Sequence, residues 1–94
     1  MKVTGVKVRK LFDEGPMRTV VSITFDDVLV VHDAKVVEMP HKTIVAMPAM
    51  RMADGTYRDL VHPTAHELRE EITKQVLETV EIQRTLISIK GKDK

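Results

Sequence analysis

The chain contains no cysteine and no tryptophan, and its only aromatic residues are two phenylalanines and one tyrosine. The absence of cysteine excludes disulfide bonds, thiolate nucleophiles and cysteine-based zinc sites. With so few aromatic side chains, the core must be built from valine, isoleucine, leucine and methionine. The longest uncharged stretch, Thr43–Met50, is far shorter than the ~20 apolar residues that cross a bilayer. We therefore expect no membrane insertion.

The sequence also lacks a strong charge of one sign. Fifteen lysines and arginines face fourteen aspartates and glutamates, which leaves a net charge of +1. A balanced chain does not attract polyanions through its overall charge, so any nucleic-acid site depends on how the cations are arranged in space. The N-terminal basic residues enclose no apolar segment of the kind found in signal peptides, and a cytoplasmic protein is expected.

Alternating apolar and polar residues predict a β-rich first half. Turn residues separate the segments at Asp13–Pro16, Asp26-Asp27 and Asp54-Gly55. The third segment is long for one strand, which favours a bulge near His32-Asp33. The predicted strands are Val3–Leu11, Met17–Phe25, Val28–Met39, Thr43–Met47 and Thr56–Val61.

From Pro63 to about Arg84 the apolar period changes to that of an amphipathic helix, with Pro63 in its first turn. The apolar stripe consists of Ala65, Leu68, Ile72, Val76 and Val80, and Leu77 widens it. Residues 85–90 fit either a short strand or a helical extension. The sequence therefore predicts an α+β fold, with an antiparallel sheet of about five strands followed by one long C-terminal helix. We expect residues 1–90 to form one domain and residues 91–94 to form a disordered tail.

The histidines offer little for catalysis or metal binding. His62 and His66 have the spacing of two ligands on one helix face, but Pro63 places His62 outside the helix, and two ligands do not close a site. His32-Asp33 would need a bulge before the two side chains could interact, and no plausible nucleophile accompanies them. We expect neither an enzyme nor a metal or other cofactor.

The cations are the better candidates for a functional site. Arg51 and Arg58 flank the Asp54-Gly55 turn, so both can project from the end of a hairpin and bind phosphate. Asp59 could instead pair with Arg58. Lys7 and Arg9 share one face of the first strand, either as a binding patch or as a solvated surface. Arg18 and Lys35 could extend that patch.

Two other residue types bear on partners. Tyr57 is the only candidate for stacking on a nucleic-acid base. Met47 is expected in the core, whereas Met50 and Met52, beside the turn, could cover a second copy of the chain.

Several blocks, in order along most of the chain, resemble the SpoVG family of bacterial septation regulators. They are Met1–Val6, Met17-Arg18, Val30–Asp33, Val45–Pro48, Asp54-Gly55 and Arg58–Pro63. The resemblance implies a small cytoplasmic α+β homodimer. It also implies a regulator of septum placement and sporulation that binds preferred DNA and RNA sites.

The resemblance further implies that nucleic acid is bound near Met47–Arg51 and the start of the helix. In the family's Met-Pro-Ser-Lys-Arg segment, this chain has Ala49 for serine and Met50 for lysine, so Arg51 is the cation that remains. At the helix start the matching cation is Arg69. The expected nucleic-acid-binding residues are thus Arg51, Arg58 and Arg69, with Lys7, Arg9 and Lys10 as additions. The alternative is a protein-interaction module in septum control that does not bind nucleic acid.

Overall fold

The computed structural model describes residues 1–11 and 17–92, and at 17, 18 and 87–92 it describes the backbone alone. The elements are β1 (Val3–Leu11), β2 (Met17–Phe25), β3 (Leu29–Glu38), β4 (Thr43–Ala46), β5 (Ala49–Arg51), β6 (Tyr57–Asp59) and α1 (His66–Lys92). Strands β1 to β4 form one antiparallel sheet in chain order, and β5 and β6 form a separate antiparallel pair. The predicted α+β fold with one long C-terminal helix is confirmed.

Helix α1 covers one face of the four-stranded sheet. Its buried side chains Ile72, Val76 and Val80 pack against the centre of the sheet, where Val21 and Ile23 are fully buried. Leu68 and Leu77 lie at the margins of this core. The predicted apolar stripe is therefore confirmed from Leu68 onward, whereas Ala65 precedes the helix and is exposed.

The opposite face of the sheet, here called the outer face, is not covered by the helix. Strand alternation places Val20 and Ser22 of β2 on it, because their neighbours Val21 and Ile23 point into the core. Lys10 of β1 and Lys35 of β3 both pair with Val20, and Lys7 of β1 pairs with Ser22. The outer face therefore carries rows of cationic side chains that run across three strands.

Two of the register irregularities in the sheet bear on the outer face, one on either side of β2. In β1 the register shifts between Val8 and Lys10, so that Arg9 is the extra residue. In β2, Ile23 pairs with Val31 and Val21 pairs with Ala34, so two residues of β3, His32 and Asp33, lie opposite the single residue between them. Asp33 has a φ of 64°. The bulge predicted at His32-Asp33 is thus confirmed. An extra residue changes the direction of nearby side chains, so both bulges affect which side chains project from the outer face.

The turn between β2 and β3 is tight. Asp26 and Asp27 have φ values of 51° and 58°, and the Val28 N–H donates to the Phe25 carbonyl over 3.0 Å. Two successive positive φ values define the type I′ turn, whose twist suits a β-hairpin. The side chain of Asp26 helps to fix it by accepting a hydrogen bond from the Lys2 N–H. The predicted Asp26-Asp27 turn is confirmed, whereas the Asp13–Pro16 turn lies outside the described residues.

The second sheet differs from the sequence prediction. The expected strand Thr56–Val61 is shorter, and it pairs with Ala49–Arg51, which had not been predicted as a strand, rather than joining the large sheet. Pro48 has no N–H to donate to a ladder, so β4 ends before it and a new strand begins after it. The result is a separate hairpin, β5–β6, that follows β4, the edge strand of the main sheet.

The start of the helix also differs from the prediction. Helix α1 begins at His66, not at Pro63, and the Ala65 carbonyl accepts the first helical hydrogen bond from the Arg69 N–H. Residues 85–90, which fitted either element, continue the helix. The helix reaches Lys92, so the first two residues of the tail predicted at 91–94 are helical. Residues 93–94 lie outside the described part.

Two polar contacts fasten the helix to the sheet. Glu71 accepts a hydrogen bond from the Val3 N–H over 2.6 Å, and Arg84 pairs with Glu38 over 3.2 Å. They fix α1 to the sheet at two points, at Glu71 near its start and at Arg84, eight residues before its end. Within the described ranges, no helix is long and apolar enough to cross a membrane.

Candidate nucleic-acid interface

A cleft of about 600 Å³ opens between the outer face and the base of the β5–β6 hairpin. Three cations from two strands, Arg9, Lys10 and Lys35, line it together with one carboxylate, Asp33. The remaining lining residues are Val20, Pro48, Ala49 and Leu60. The cleft therefore combines a cationic side on the sheet with an apolar side on the hairpin, which suits a ligand that carries both phosphates and flat apolar groups.

The β1 bulge explains why two consecutive cations line the same cleft. Neighbouring residues in a regular strand point to opposite faces, so Arg9 and Lys10 should diverge. The extra residue at Arg9 breaks that alternation. Lys35 joins them from β3 because it pairs with Val20 from the other side. Of the predicted cations, Arg9 and Lys10 are thus brought together, and Lys35 extends the patch.

These cations are not neutralised within the described part of the chain. The ion pairs found there join His66 to Glu70 and Arg84 to Glu38, and neither involves a residue of the cleft. Asp33 lines the same cleft without forming an ion pair with Lys35 among the described residues. The cleft therefore presents three cationic groups against one carboxylate, a local excess that the balanced composition conceals.

The hairpin separates the two arginines that flank its turn. Arg51 lies opposite Tyr57, and Met50 lies opposite Arg58, so Arg51 and Arg58 point to different faces of the hairpin. The two guanidinium groups therefore do not form a joint phosphate clamp within one chain. The reason is the register, which places Tyr57 rather than Arg58 across from Arg51. Alternation puts Arg51 on the same face as Ala49, which lines the cleft.

The remaining predicted cations are dispersed. Lys7 lies on the outer face, one row from Lys10. Arg69 lies on α1, in a small crevice with Met47 and Pro63 on the helix side of the sheet. Arg69 and the cleft are therefore on different layers of the molecule, and a single ligand contacting the cleft of one chain would not reach Arg69 without wrapping around its edge.

The hairpin turn is held by a network around Asp54. The Asp54 carboxylate accepts hydrogen bonds from the N–H and the hydroxyl of Thr56, over 3.0 Å and 2.6 Å. These bonds, led by the one from the hydroxyl, lower the pKa of Asp54. Gly55 has a φ of 88°, which a glycine adopts without strain. The turn therefore holds Arg51 and Tyr57 in a fixed cross-strand pair, and Tyr57 is 71% exposed.

The histidines do not form a metal centre in the described residues. His62 lies outside the helix as predicted, and His66 pairs with Glu70 over 2.8 Å. No group of three potential ligands comes together among residues 1–11 and 17–92. His32 instead forms a hydrogen bond with the hydroxyl of Ser22 over 2.8 Å. The sequence does not predict this contact, because Ser22 and His32 lie ten residues apart on neighbouring strands.

Comparison with known proteins identifies the family. The family model for SpoVG matches residues 1–81. The chain belongs to the SpoVG family. Curated relatives named "Putative septation protein SpoVG" include one from Lachnospira eligens, 49% identical over 86% of this chain and 92% of its own length. Others come from Caldanaerobacter subterraneus, 46% identical over 86% and 89%, and Clostridioides difficile, 46% identical over 83% and 85%.

The SpoVG match spans the whole cleft. Its lining residues run from Arg9 to Leu60, and the hairpin and the first half of α1 also lie inside residues 1–81. The last turns of α1, from residue 82 onward, lie outside the matched region. The candidate interface is therefore built from the SpoVG domain itself and not from an extension of it.

Proposed function

We propose that this SpoVG-family protein is a homodimeric regulator of septation and sporulation that binds preferred DNA or RNA sites through the outer-face cleft. The observation that carries the proposal is the convergence of Arg9, Lys10 and Lys35 in one cleft without a neutralising ion pair among the described residues. Clustered cations attract phosphates and release counterions from a nucleic acid. The names of the relatives support the link to septation.

The hairpin supports the same proposal. Arg51 and the highly exposed Tyr57 lie side by side on the hairpin face that carries Ala49. A guanidinium group can contact a phosphate while an aromatic ring stacks on the adjoining base. The hairpin would thus add a base contact to the phosphate contacts of the cleft. Arg58 and Arg69 face elsewhere and would reach nucleic acid only where a longer strand passes around the molecule.

The other face of the hairpin supports the homodimer. It carries Met50 and, one alternation further, Met52, and both side chains are substantially exposed. Methionine is adaptable and frequent at compliant interfaces. A second copy that covers this face would leave the Arg51 face open to nucleic acid.

The test measures binding of a labelled oligonucleotide against salt concentration. Three phosphate contacts predict that log K falls with log salt with a slope of about −2 for a single strand, because each contact contributes about −0.7. Lys35→Ala should weaken binding and bring the slope closer to zero by about 0.7. Lys74→Ala is the matched control: it removes the same charge from an exposed position on α1.

The outcomes separate the possibilities. If Lys35→Ala weakens binding and Lys74→Ala does not, the cleft is the site. Equal effects of the two variants would mean that only net charge matters and would reject the cleft. Binding that is absent at low salt, or indifferent to salt, would reject nucleic-acid binding altogether.

A second candidate function is a protein-interaction module in septum control. The observation that favours it is the exposure of large apolar side chains around the hairpin and its exit, where Leu60 is 64% exposed. Exposed apolar groups near one another often mark protein interfaces. Capture of partners from a nuclease-treated lysate distinguishes the two functions. Partners that survive the nuclease support the module, and loss of every partner supports nucleic-acid tethering.

A further inference from the structure

His32 occupies an unusual position that the cleft does not explain. Its ring is exposed on the outer face, while its Nδ1 lies 2.8 Å from the Oγ of Ser22. Ser22 is only 5% exposed, although it lies on the face that the helix leaves uncovered. A buried hydroxyl group thus holds an exposed imidazole ring in place. Such an anchor limits the ring's rotation more than a contact between two exposed side chains would.

The backbone fixes the same histidine. His32 is part of the β3 bulge, and the next residue, Asp33, adopts a left-handed conformation with a φ of 64°. Non-glycine residues adopt this conformation at a cost, which the surrounding structure must offset. The bulge brings His32 opposite Ser22 and sends Asp33 into the cleft. Strain at this point therefore coincides with the placement of two titratable side chains.

The hydrogen bond to Ser22 suits both charge states of the ring. A hydroxyl group can donate to Nδ1 of a neutral imidazole or accept from Nδ1–H of a protonated one. When the hydroxyl group donates to Nδ1 of the neutral ring, and whenever the ring is protonated, Nε2 carries a hydrogen. Within the described part of the chain Nε2 has no hydrogen-bond partner. Protonation therefore adds a positive charge without reorienting the ring. The protonated ring thus presents a charged N–H donor on the outer face.

The charged groups around His32 favour an anion. Lys7 lies in the same row, since it pairs with Ser22, and Lys35 lies in the next row. Arg9 and Lys10 reach the outer face from β1. Asp59 lies on the hairpin face that carries Ala49, and among the described residues that line the cleft the carboxylate is that of Asp33, next in sequence to His32. Its negative charge repels phosphate, and a protonated His32 would offset that repulsion.

We propose that His32 is a further phosphate-binding residue of the outer face, with Ser22 as its positioning residue. It extends the site from the cleft toward Lys7, and its contribution grows as the pH falls. This inference rests on the proposed nucleic-acid binding. The ligand of His32 is the phosphodiester backbone, because the groups around it are cations and hydrogen-bond donors, which suit phosphate oxygens.

The test measures the affinity of the protein for a rhodamine-labelled oligothymidylate strand as the pH is lowered from about 8 to about 5.5, the range in which imidazoles gain a proton. Thymine does not titrate in this range, so changes belong to the protein. We expect binding to tighten roughly three- to tenfold, with a salt slope steeper by about 0.7, as one added phosphate contact requires.

Two histidine variants locate the effect. His32→Gln should remove most of the gain at low pH. His41→Gln, which changes an exposed histidine in the turn between β3 and β4, should retain it. If His32→Gln retains the full gain, the inference is overturned while nucleic-acid binding stands. If the unmodified protein fails to bind at either pH, the proposed function fails and the inference with it.

Ser22→Ala tests the positioning role. Without the hydroxyl group the imidazole still gains a proton, but its orientation is no longer fixed. We expect a smaller gain at low pH than in the unmodified protein, in a variant whose circular dichroism spectrum shows that it is folded. A purely structural serine would lower affinity equally at every pH, and that result would reject the positioning role.

Discussion

Thr19 has a completely buried side chain whose hydroxyl oxygen finds no hydrogen-bond partner in the part of the chain that the structure describes. A buried hydroxyl group that loses water without gaining a partner is unfavourable. Its methyl group and branched shape nevertheless suit a buried strand position. The shape of Thr19 therefore suits its buried site, whereas its unpaired hydroxyl group destabilises the fold.

Replacing this hydroxyl group by a methyl group should stabilise the fold. For Thr19→Val we expect the free energy of unfolding to rise by about 1 kcal/mol, because the shape is kept and an unsatisfied polar group is removed. Urea denaturation measures the change. Thr19→Ala is the contrast and should destabilise, since it leaves a hole. If the valine variant is clearly less stable, the hydroxyl group has a partner and the premise is wrong.

Asp54 gives the hairpin a dependence on pH. The hydrogen bonds from Thr56 lower the pKa of Asp54, so the folded turn favours the ionised carboxylate. A lowered pKa means that the stabilisation is present above the unfolded pKa of about 3.9 and is lost as the pH falls through the folded value. The turn should loosen in acid and remain unchanged near neutral pH.

An NMR titration of the Asp54 carboxyl group tests this. Thr56→Val removes the hydroxyl bond, the larger cause, while the backbone bond can remain, so the pKa of Asp54 should rise toward its ordinary value. An unchanged pKa in the variant would show that the hydroxyl bond contributes nothing.

Helix α1 shows most clearly which features of an element can be predicted from a sequence pattern. The spacing of its apolar residues predicted which helix face is buried, and that face is the one that packs on the sheet. The pattern failed at the ends. Proline at 63 resembles a first helical residue, yet the chain turns for two more residues before α1 begins at His66. Helix ends depend on local caps and on the chain's path away from the sheet, which periodicity does not record.

Two isoleucines of α1 provide a matched test of the packing. Ile72 is 3% exposed and Ile82 is 62% exposed. Ile72→Ala should lower the free energy of unfolding by about 3 kcal/mol because it removes buried methyl groups and leaves a cavity. Ile82→Ala should change it by less than about 0.5 kcal/mol. Chemical denaturation of both variants is the measurement, and equal losses would contradict the observed orientation of the helix.

The hairpin β5–β6 shows how pairing decides the meaning of a sequence motif. Arg51 lies three residues before the Asp54-Gly55 turn and Arg58 lies three residues after it. This symmetry in the amino-acid sequence suggested a joint cationic site. Five residues, 52–56, separate β5 from β6, and this odd number places Tyr57 rather than Arg58 opposite Arg51. Register is set by turn geometry, and a shift of one residue moves every side chain to the other face.

For the whole molecule, the distribution of charge matters more than its sum. A chain with a net charge of +1 still assembles a cleft with three cations and one carboxylate. The proposed dimer would double that surface. Its interface is proposed on the methionine face of the hairpin, away from the cleft, so that assembly and nucleic-acid binding use different surfaces.

Sedimentation of a methionine variant tests this arrangement. Met52→Asp should shift the protein toward the monomer, because a carboxylate placed in an apolar interface is costly to desolvate. Met39→Asp is the control: Met39 is 42% exposed, close to the 38% of Met52, but follows β3 at a distance from the hairpin along the chain. A monomeric unmodified protein would reject the homodimer. A Met52→Asp dimer would place the interface elsewhere.

Local signals in the amino-acid sequence were sufficient to predict several elements. Alternation marked β1 and β2 with their observed ends, glycine and aspartate marked the turns, and the length of the third strand called for a bulge at His32-Asp33. These features follow from side-chain periodicity and from backbone conformations that few residues adopt. The cations Arg9 and Lys10 could likewise be named as candidates from residue type.

Which of these residues meet depends on pairing between strands that lie far apart in the sequence. The β1 bulge turns Arg9 and Lys10 to the same side, pairing through Val20 adds Lys35, and the β3 bulge sets His32 on Ser22. Each contact joins residues on different strands, and its geometry depends on a register that no single segment contains. The separation of two residues along the chain does not predict that register. The register arises because all the strands must satisfy their backbone hydrogen bonds and bury one common face together.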